Sequence, residues 1–239
     1  MTELAERTNA QLIAALNHPD WQVRREAVRN LTELGAKDAF EPLIKILKDE
    51  TEIDHVRKFA AEGLASFGDE KAIEPLLNVS ANKNHRIRQA AIWALSQFDD
   101  KRLLDFFVVL LKDQDSEVQS LAIQAVVRIG DKQVIKPLLD LLQNYDEFYI
   151  IRAEVALALG KLGGQAAIPA LIARLEDEEP AVREGAVLAL GQLKATAALP
   201  ALTRLQQSDN SQTEQSEKVK DAVNQAIEQI QKFQEDSGR

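Results

Sequence analysis

A Val-Arg dipeptide, or a close variant of it, recurs along the chain at a nearly constant interval. Its copies follow one another at steps of 33, 31, 31, 33 and 31 residues: Val23-Arg24, Val56-Arg57, Ile87-Arg88, Val118-Gln119, Ile151-Arg152 and Val182-Arg183, with a weaker echo at Val219-Lys220. A period in this range is typical of a stacked array of structural repeats. Because such arrays present an extended surface to other macromolecules, the period also favours a binding function.

Each period is predicted to contain two helices, of which the second is the clearer. Apolar residues follow the Arg position after three, seven and ten residues, as in Ala91, Leu95 and Phe98. On a helix these residues share one face with the preceding Val or Ile, and we expect that face in the core. Asp99 and Lys194 follow this stripe in two periods. In the other four periods a glycine follows, where a left-handed residue would end the helix: Gly35, Gly68, Gly130 and Gly163.

The first helix of a period is marked by a proline in its first turn, where the missing N–H costs nothing. These prolines are Pro42, Pro75, Pro137, Pro169 and Pro200, and Phe106 replaces proline in the third period. The residues expected on the inward stripe are Leu43, Leu47, Leu76, Val79, Leu138, Leu141, Leu171 and Leu175. The turns between the two helices are short and polar, which forces the helices to be antiparallel. The second helix is expected to be capped by Asp20, Asn84, Asp115 or Glu179.

Charge and cysteine content exclude several classes of partner and site. The formal net charge of −9 disfavours a nucleic-acid backbone or an anionic membrane as the main partner, because both are repelled at long range. With no cysteine, the chain cannot form disulfides, thiolate metal sites or a cysteine nucleophile. There is no apolar run near the ~18 residues of a membrane span and no basic-then-apolar leader. We therefore expect a cytoplasmic protein without membrane insertion.

The repeat signature resembles a known family. Val182-Arg183-Glu184-Gly185-Ala186 and the first-helix opening Ile135-Lys136-Pro137-Leu138 are similar to the short HEAT-like repeats of the phycobilisome lyase type. Phe148-Tyr149-Ile150-Ile151-Arg152 is similar to a Tyr-Tyr-Val-Arg stretch of lyase subunits in that family. The resemblance covers nearly the whole chain and implies an all-α, right-handed α-solenoid of about seven HEAT-like helical pairs. Because the signature encodes helix stacking, it is shared by bilin lyase subunits, phycobilisome-degradation factors and adaptors.

Three segments are expected along the chain. Residues 1–207 form the solenoid, residues 208–213 a polar linker, and residues 214–239 a C-terminal capping helix with a tail that frays from Glu235. The last helix has one apolar face and a polar outer side, as a helix that shields the final core layer from water requires. That face consists of Val219, Val223, Ile227, Ile230 and Phe233.

The residue five positions after the Arg is predicted to point away from the core. In successive periods it is Arg29, Glu62, Trp93, Gln124, Leu157 and Leu188. Trp93, Leu157 and Leu188 are therefore candidate apolar anchors for a protein partner, since tryptophan dominates many interfaces. For Trp93 the alternative is packing over the neighbouring helix. The second helices are expected to line the concave side of the solenoid. The charged residues expected to set the electrostatic edge of this concave surface are Arg25, Arg29, Lys58 and Glu62.

A second candidate site is an aromatic turn that is two residues longer than its counterparts and contains Tyr145, Phe148 and Tyr149. Departures from a repeat are where function is often added. The recurring arginines and Trp21 are instead assigned to stacking. Repeat-spaced histidines would lie about 10 Å apart, too far to share a metal ion whose ligands lie near 2 Å. These are His18, His55 and His85.

The sequence contains no phosphate-binding glycine loop, nucleophile elbow or His-Glu-x-x-His motif, and we expect no cofactor and no metal. It therefore predicts a non-catalytic protein-binding scaffold or adaptor. The resemblance implies a phycobiliprotein or a second HEAT-like subunit as partner, and a role in bilin attachment, bilin removal or phycobilisome turnover. Two alternatives stay open: a bilin lyase or lyase subunit, which would be an enzyme, and an adaptor in cofactor assembly such as iron–sulfur delivery.

Overall fold

The computed structural model describes residues 2–144, 147–208 and 214–237, and within these ranges the regular structure is helical throughout. The chain divides between Asp99 and Asp100 into two compact units. The helices of the first unit are α1 (Thr2–Ala15), α2 (Trp21–Glu33), α3 (Phe40–Lys48), α4 (Asp54–Phe67), α5 (Ile73–Val79) and α6 (His85–Ser96). Those of the second unit are α7 (Leu104–Leu110), α8 (Ser116–Ile129), α9 (Ile135–Gln143), α10 (Tyr149–Lys161), α11 (Ile168–Arg174), α12 (Pro180–Gln192), α13 (Leu199–Ser208) and α14 (Glu214–Ser237). The predicted all-α fold of stacked helical pairs is confirmed.

The core of each unit is built from the stripes that the repeat predicts. In the first unit Ile87, Ala91, Leu95 and Phe98 are all buried, and every predicted inward residue of the first helices is buried as well. In the second unit the same holds for the stripe that begins at Val182. Fully burying one large apolar side chain stabilises the fold by about 1.5–3 kcal/mol, and each repeat buries several of them.

Leu34 departs from the predicted stripe, because 58% of its surface is exposed. It is the C-cap residue of α2, whereas the equivalent Phe98, Leu162 and Leu193 are buried. Among the second helices, α2 packs against α4.

Helix ends follow the predicted glycines closely. All four cap glycines have positive φ values, between 60° and 71°. Lys194 takes the same left-handed conformation with a φ of 52° although it has a side chain. Its ammonium lies 4.7 Å from the centre of the Phe233 ring, a cation–π contact that offsets part of the backbone cost. Asp99 is not among the residues with positive φ, so its turn uses another conformation.

Side-chain caps fix the starts of the second helices. Asp20, Asn84 and Asp115 each accept a hydrogen bond from the backbone N–H two residues later, as predicted. Glu179 occupies the same N-cap position but makes no such bond. A short 3-10 turn, which the sequence did not predict, precedes each first helix from α3 onwards.

Helix α14 packs against α12 and α13 in the second unit. Val219, Val223 and Ile230 are buried, and a side chain at Gly191 would lie 3.1 Å from the Cβ atom of Ala226, so the two helices approach closely. The helix runs from Glu214 to Ser237, and the fraying expected from Glu235 stays a prediction. The proposed linker largely falls outside the described residues, and the three-segment division stays a prediction.

Candidate protein-binding surfaces

The recurring arginines bind backbone carbonyls that precede their own helix, and Arg24 and Arg152 also bind an acid of the next repeat. Arg24 donates to both oxygens of Glu52, at 2.6 Å each, and to the carbonyls of His18 and Pro19 in the turn before its own helix. The hydrogen bond to Glu52 is the largest cause that raises the pKa of Arg24. Further arginine-to-carbonyl bonds join Arg57 to Leu47, Arg88 to Asn82, Arg152 to Glu147 and Arg183 to Asp177. This agrees with the structural role expected for these residues.

The second unit contains a buried charge cluster of two arginines and one acid. Asp177 accepts from Arg152 at 3.0 Å and from Arg174 at 3.3 Å, and all three side chains are at least 94% buried. Burial is the largest influence on the pKa of Asp177 and would raise it. The hydrogen bond from Arg152, the backbone N–H of Glu179 and the positive charges together outweigh burial and hold this pKa below its usual value. The carboxylate is thus ionised and structural.

In the first unit, Trp93 is the one predicted anchor, and it is 39% exposed on α6. Its equivalents on α2 and α4 are Arg29 and Glu62, and α4 packs against both neighbouring second helices. Arg29 pairs within its own helix with Glu26 at 2.6 Å, and Glu62 pairs with Lys58 at 3.6 Å. The predicted charged residues therefore form exposed intrahelical pairs beside an exposed indole.

Arg25, the remaining predicted residue of this edge, lies beside Trp21. Its guanidinium carbon is 5.5 Å from the centre of the Trp21 ring, and its side chain also binds Glu26 at 2.9 Å. The Trp21 ring is half-buried and lies 6.2 Å from the His55 ring. Trp21 thus closes the end of the first core layer by contact with the next repeat, as expected.

In the second unit, Leu157 and Leu188 lie at equivalent positions on α10 and α12, which pack directly against each other. Both are half-buried, so they are less accessible than the exposed anchors expected from the sequence. The reason is the closeness of the two helices. A side chain at Gly185 would lie 2.9 Å from the carbonyl oxygen of Ala153, so the neighbouring helix covers part of each leucine.

The aromatic turn exposes the most apolar surface of the predicted sites. Phe148 is 48% exposed and Tyr149 36% exposed, and their rings meet edge to face at 4.9 Å between centroids. Ile150, which is not among the predicted site residues, is 42% exposed. It could have been found from the repeat, because its equivalents Gln22, His55, Arg86 and Glu117 are polar and the remaining one, Ala181, is small. Tyr145 lies outside the described residues.

Side chains that could serve as metal ligands or catalytic groups have structural partners. The Nδ1 atom of His18 accepts from the backbone N–H of Asp20, and His55 lies against Trp21. Within residues 2–144, 147–208 and 214–237, no three His, Asp or Glu side chains are grouped so that they could hold a metal ion. Every helix in those ranges is too short or too polar to serve as a transmembrane span.

Comparison with known proteins places the repeat in a family. The HEAT-repeat profile matches residues 9–96, 80–150 and 140–228, which together cover most of the chain. The chain belongs to the HEAT-repeat family. No curated protein sequence matches it significantly.

Solved HEAT-type structures resemble the chain at low sequence identity. The E. coli protein YibA matches with a TM-score of 0.62 and 16% identity, over 96% of each chain. Kap95p, solved with RanGDP, matches with a TM-score of 0.61 and 16% identity, over 96% of this chain but 38% of its own. The complex of CpcE and CpcF of phycocyanin lyase from Nostoc sp. PCC7120 matches with a TM-score of 0.55 and 21% identity, over 91% of this chain and 94% of its own. At these identities the likeness concerns the fold alone.

Proposed function

We propose that this HEAT-repeat protein is a non-catalytic scaffold or adaptor of the cytoplasm that binds another protein. The observation that carries the proposal is the exposure of large apolar side chains at positions where stacking does not require them. Trp93 in the first unit and Phe148 and Tyr149 in the second are each at least 36% exposed. Exposed aromatic groups of this kind serve as interface anchors, because their burial by a partner removes much apolar surface from water.

The predicted edge residues support binding by charge. Arg25, Arg29, Lys58 and Glu62 are held by pairs within their own helices, so their side chains already have defined positions before a partner arrives. Such rim charges contribute more to the choice and speed of association than to its free energy. Leu157 and Leu188 supply a smaller apolar contribution, since neighbouring helices cover part of each.

Affinity purification from the native cell, followed by identification of the recovered proteins, tests this function. Trp93→Ala should weaken partner binding by about 2 kcal/mol or more, roughly thirtyfold, with nearly unchanged thermal stability. Leu34→Ala, which truncates another exposed apolar residue of the first unit, is the matched control and should bind normally. A large loss of stability in Trp93→Ala would instead identify Trp93 as core, and equal binding by both variants would remove it from the interface.

A phycobiliprotein is the partner class that we propose first, with a role in bilin attachment, bilin removal or phycobilisome turnover. The likeness to the CpcE and CpcF complex of phycocyanin lyase and the stretch Phe148-Tyr149-Ile150-Ile151-Arg152 support it. The same observations favour a bilin lyase subunit as a second candidate. Mixing the protein with a bilin and an apo-phycobiliprotein distinguishes the two. A covalent absorbing adduct identifies a lyase, whereas stable binding without an adduct supports the scaffold.

A further inference from the structure

Three turns between first and second helices of the second unit lie along one edge. Hydrogen bonds join them: Gln119 donates to Glu147 at 3.3 Å, Arg152 donates to the Glu147 carbonyl at 2.5 Å, and Arg152 also binds Asp177 at 3.0 Å. Each turn is thereby tied to the next one. The turn segments are 113–117, 147–150 and 176–181, and together they are called the turn edge below.

The turn edge combines exposed apolar surface with negative charge. Phe148, Tyr149 and Ile150 stand side by side at the start of α10 and are each 36–48% exposed. The three segments contain no lysine or arginine, although Arg152 and Arg183 from the following helices bind their carbonyl groups. They carry eight acidic residues: Asp113, Asp115, Glu117, Glu147, Glu176, Asp177, Glu178 and Glu179.

Some of these acids have partners within the fold, and others face solvent. Asp177 is neutralised by two buried arginines, and Asp115 caps α8. Glu176 and Glu178 at the far turn are exposed, and their carboxylates face solvent. An apolar patch bordered by solvated acids attracts positive charge and repels anions, membranes of anionic lipid and a second copy of the same edge.

The edge also carries a recess beside its last turn. A cleft of about 390 Å³ lies between α11 and α13, with apolar walls from Ile172, Leu175 and Leu205. Its charged lining is balanced and consists of Glu176, Asp177, Arg183 and Arg204. This volume is within the range of clefts that accept a small ligand or one large side chain. An apolar side chain of a segment lying along the edge would fit these walls, whereas a cationic side chain would be repelled by the two arginines.

We infer that the turn edge binds a partner segment that is positively charged and carries apolar side chains, that is, a Lys- or Arg-rich extended stretch of another protein. The inference rests on the proposed protein-binding function and adds the chemistry of the partner. It concerns a surface separate from Trp93, which lies in the other unit.

The experiment uses the full chain as bait for a randomised twelve-residue peptide library, followed by fluorescence anisotropy with the enriched peptides. We expect enriched peptides with net positive charge and at least one large apolar residue, and weaker binding at high salt because exposed charges are screened. The double variant Phe148→Ser/Ile150→Ser should weaken binding at least ~tenfold. Serine is a good N-cap at position 148, so this variant should keep its helicity.

Two further variants sharpen the outcome. Glu178→Gln/Glu179→Gln should weaken binding mainly at low salt, and Leu34→Ser, an exposed apolar residue of the first unit, should leave it unchanged. Neutral or acidic peptides, no enrichment at all, or binding unaffected by Phe148→Ser/Ile150→Ser would overturn the inference. Concentration-dependent dimers that the double variant abolishes would assign the edge to a second copy and also overturn it. If Trp93→Ala loses peptide binding while the turn-edge variants keep it, the protein-binding function is supported and the inference about the turn edge is overturned.

Discussion

The turns at residues 49–53 in the first unit and 144–148 in the second have the same place in the repeat and different surroundings. Each follows a first helix of nine residues, α3 or α9, where α5, α7 and α11 have seven. Each supplies a glutamate that reaches a residue 28 positions earlier on the preceding second helix. The turn itself spans five residues in all five of these periods, so the two extra residues lie in the first helix. The prediction that the aromatic turn is longer than its counterparts is therefore wrong, and the insertion also occurs in the first unit.

The partners of the two glutamates differ. Glu52 forms a two-bond ion pair with Arg24 and is 8% exposed, whereas Glu147 receives a single 3.3 Å bond from the neutral amide of Gln119. In the first turn, hydrogen bonds from Thr51 are also the largest cause that lowers the pKa of Asp49. The first turn is thus closed by polar contacts.

The residues that follow also differ. Ile53 is 40% exposed and is followed by the polar Asp54 and His55, whereas Phe148 is followed by Tyr149 and Ile150, both exposed. The comparison teaches that an insertion in a repeat can serve stacking alone, and that surface chemistry beyond the insertion separates a structural turn from a candidate binding surface.

The largest expected loss of stability comes from removing the acid of the buried charge cluster, which holds the second turn in place. Asp177→Ala would leave Arg152 and Arg174 buried without their acid, and should reduce the free energy of unfolding by about 3–5 kcal/mol. Urea unfolding followed by circular dichroism and by tyrosine fluorescence measures it, since Tyr145 and Tyr149 both lie in the second unit. Glu176→Ala removes an exposed neighbouring acid as the control, and a similar small loss in both variants would contradict the role of the cluster.

The same cluster should make the second unit sensitive to acid. The pKa of Asp177 is lower in the folded state than the ordinary 3.8, so its stabilising contribution is present above that pH and is lost as pH falls through the folded pKa. The difference in unfolding free energy between the wild type and Asp177→Asn should therefore shrink below about pH 4. A difference that stays constant from pH 6 to pH 3 would show that the charge of Asp177 does not contribute.

The first turn should depend on its ion pair. Arg24→Gln gives Glu52 the kind of partner that Glu147 has, and should reduce stability by roughly 1–3 kcal/mol because a nearly buried carboxylate loses its counter-charge. Both tryptophans lie in the first unit, so the midpoint of urea unfolding by tryptophan fluorescence reports this loss. Arg29→Gln, which removes an exposed intrahelical pair, should change that midpoint little.

The reciprocal substitution is expected to have a smaller effect. Gln119→Arg offers Glu147 an ion pair like that of Glu52, and should raise stability by up to about 1 kcal/mol, as measured by chemical unfolding. If stability falls by more than that, the second turn cannot accept the geometry of the first, and the equivalence of the two turns fails.

The substitutions with the smallest expected effect on stability test whether the two turns differ in peptide binding. Ile53→Ser and Phe148→Ser each place a capping residue at an uncapped helix start while removing a half-exposed apolar side chain, so both should stay within about 0.5 kcal/mol of the wild type. In the peptide-binding assay only Phe148→Ser should reduce affinity. Equal losses from both would show that the turns do not differ as binding surfaces.

Much of the fold could be read from the repeat. The stripe, the cap glycines and the prolines of the first helices lie where the period places them, because each is fixed by local helix geometry and by one neighbour. The site was harder to predict. The partial cover of Leu157 and Leu188 depends on how closely successive helices approach, and Gly185 allows that close approach through contact with Ala153 in another helix.

The all-α class, the family, the core stripes and the position of the aromatic turn follow from the sequence, since a period of 31 to 33 residues repeats the same local interactions. Only the tertiary structure decided which charges are neutralised and which apolar groups stay in water. Arg152 meets Asp177 across 25 residues and Arg24 meets Glu52 across 28, and such pairings follow from the stacking of whole repeats. The free energy of a buried charge or an exposed ring depends on what surrounds it, and that is set by neighbours distant in the chain.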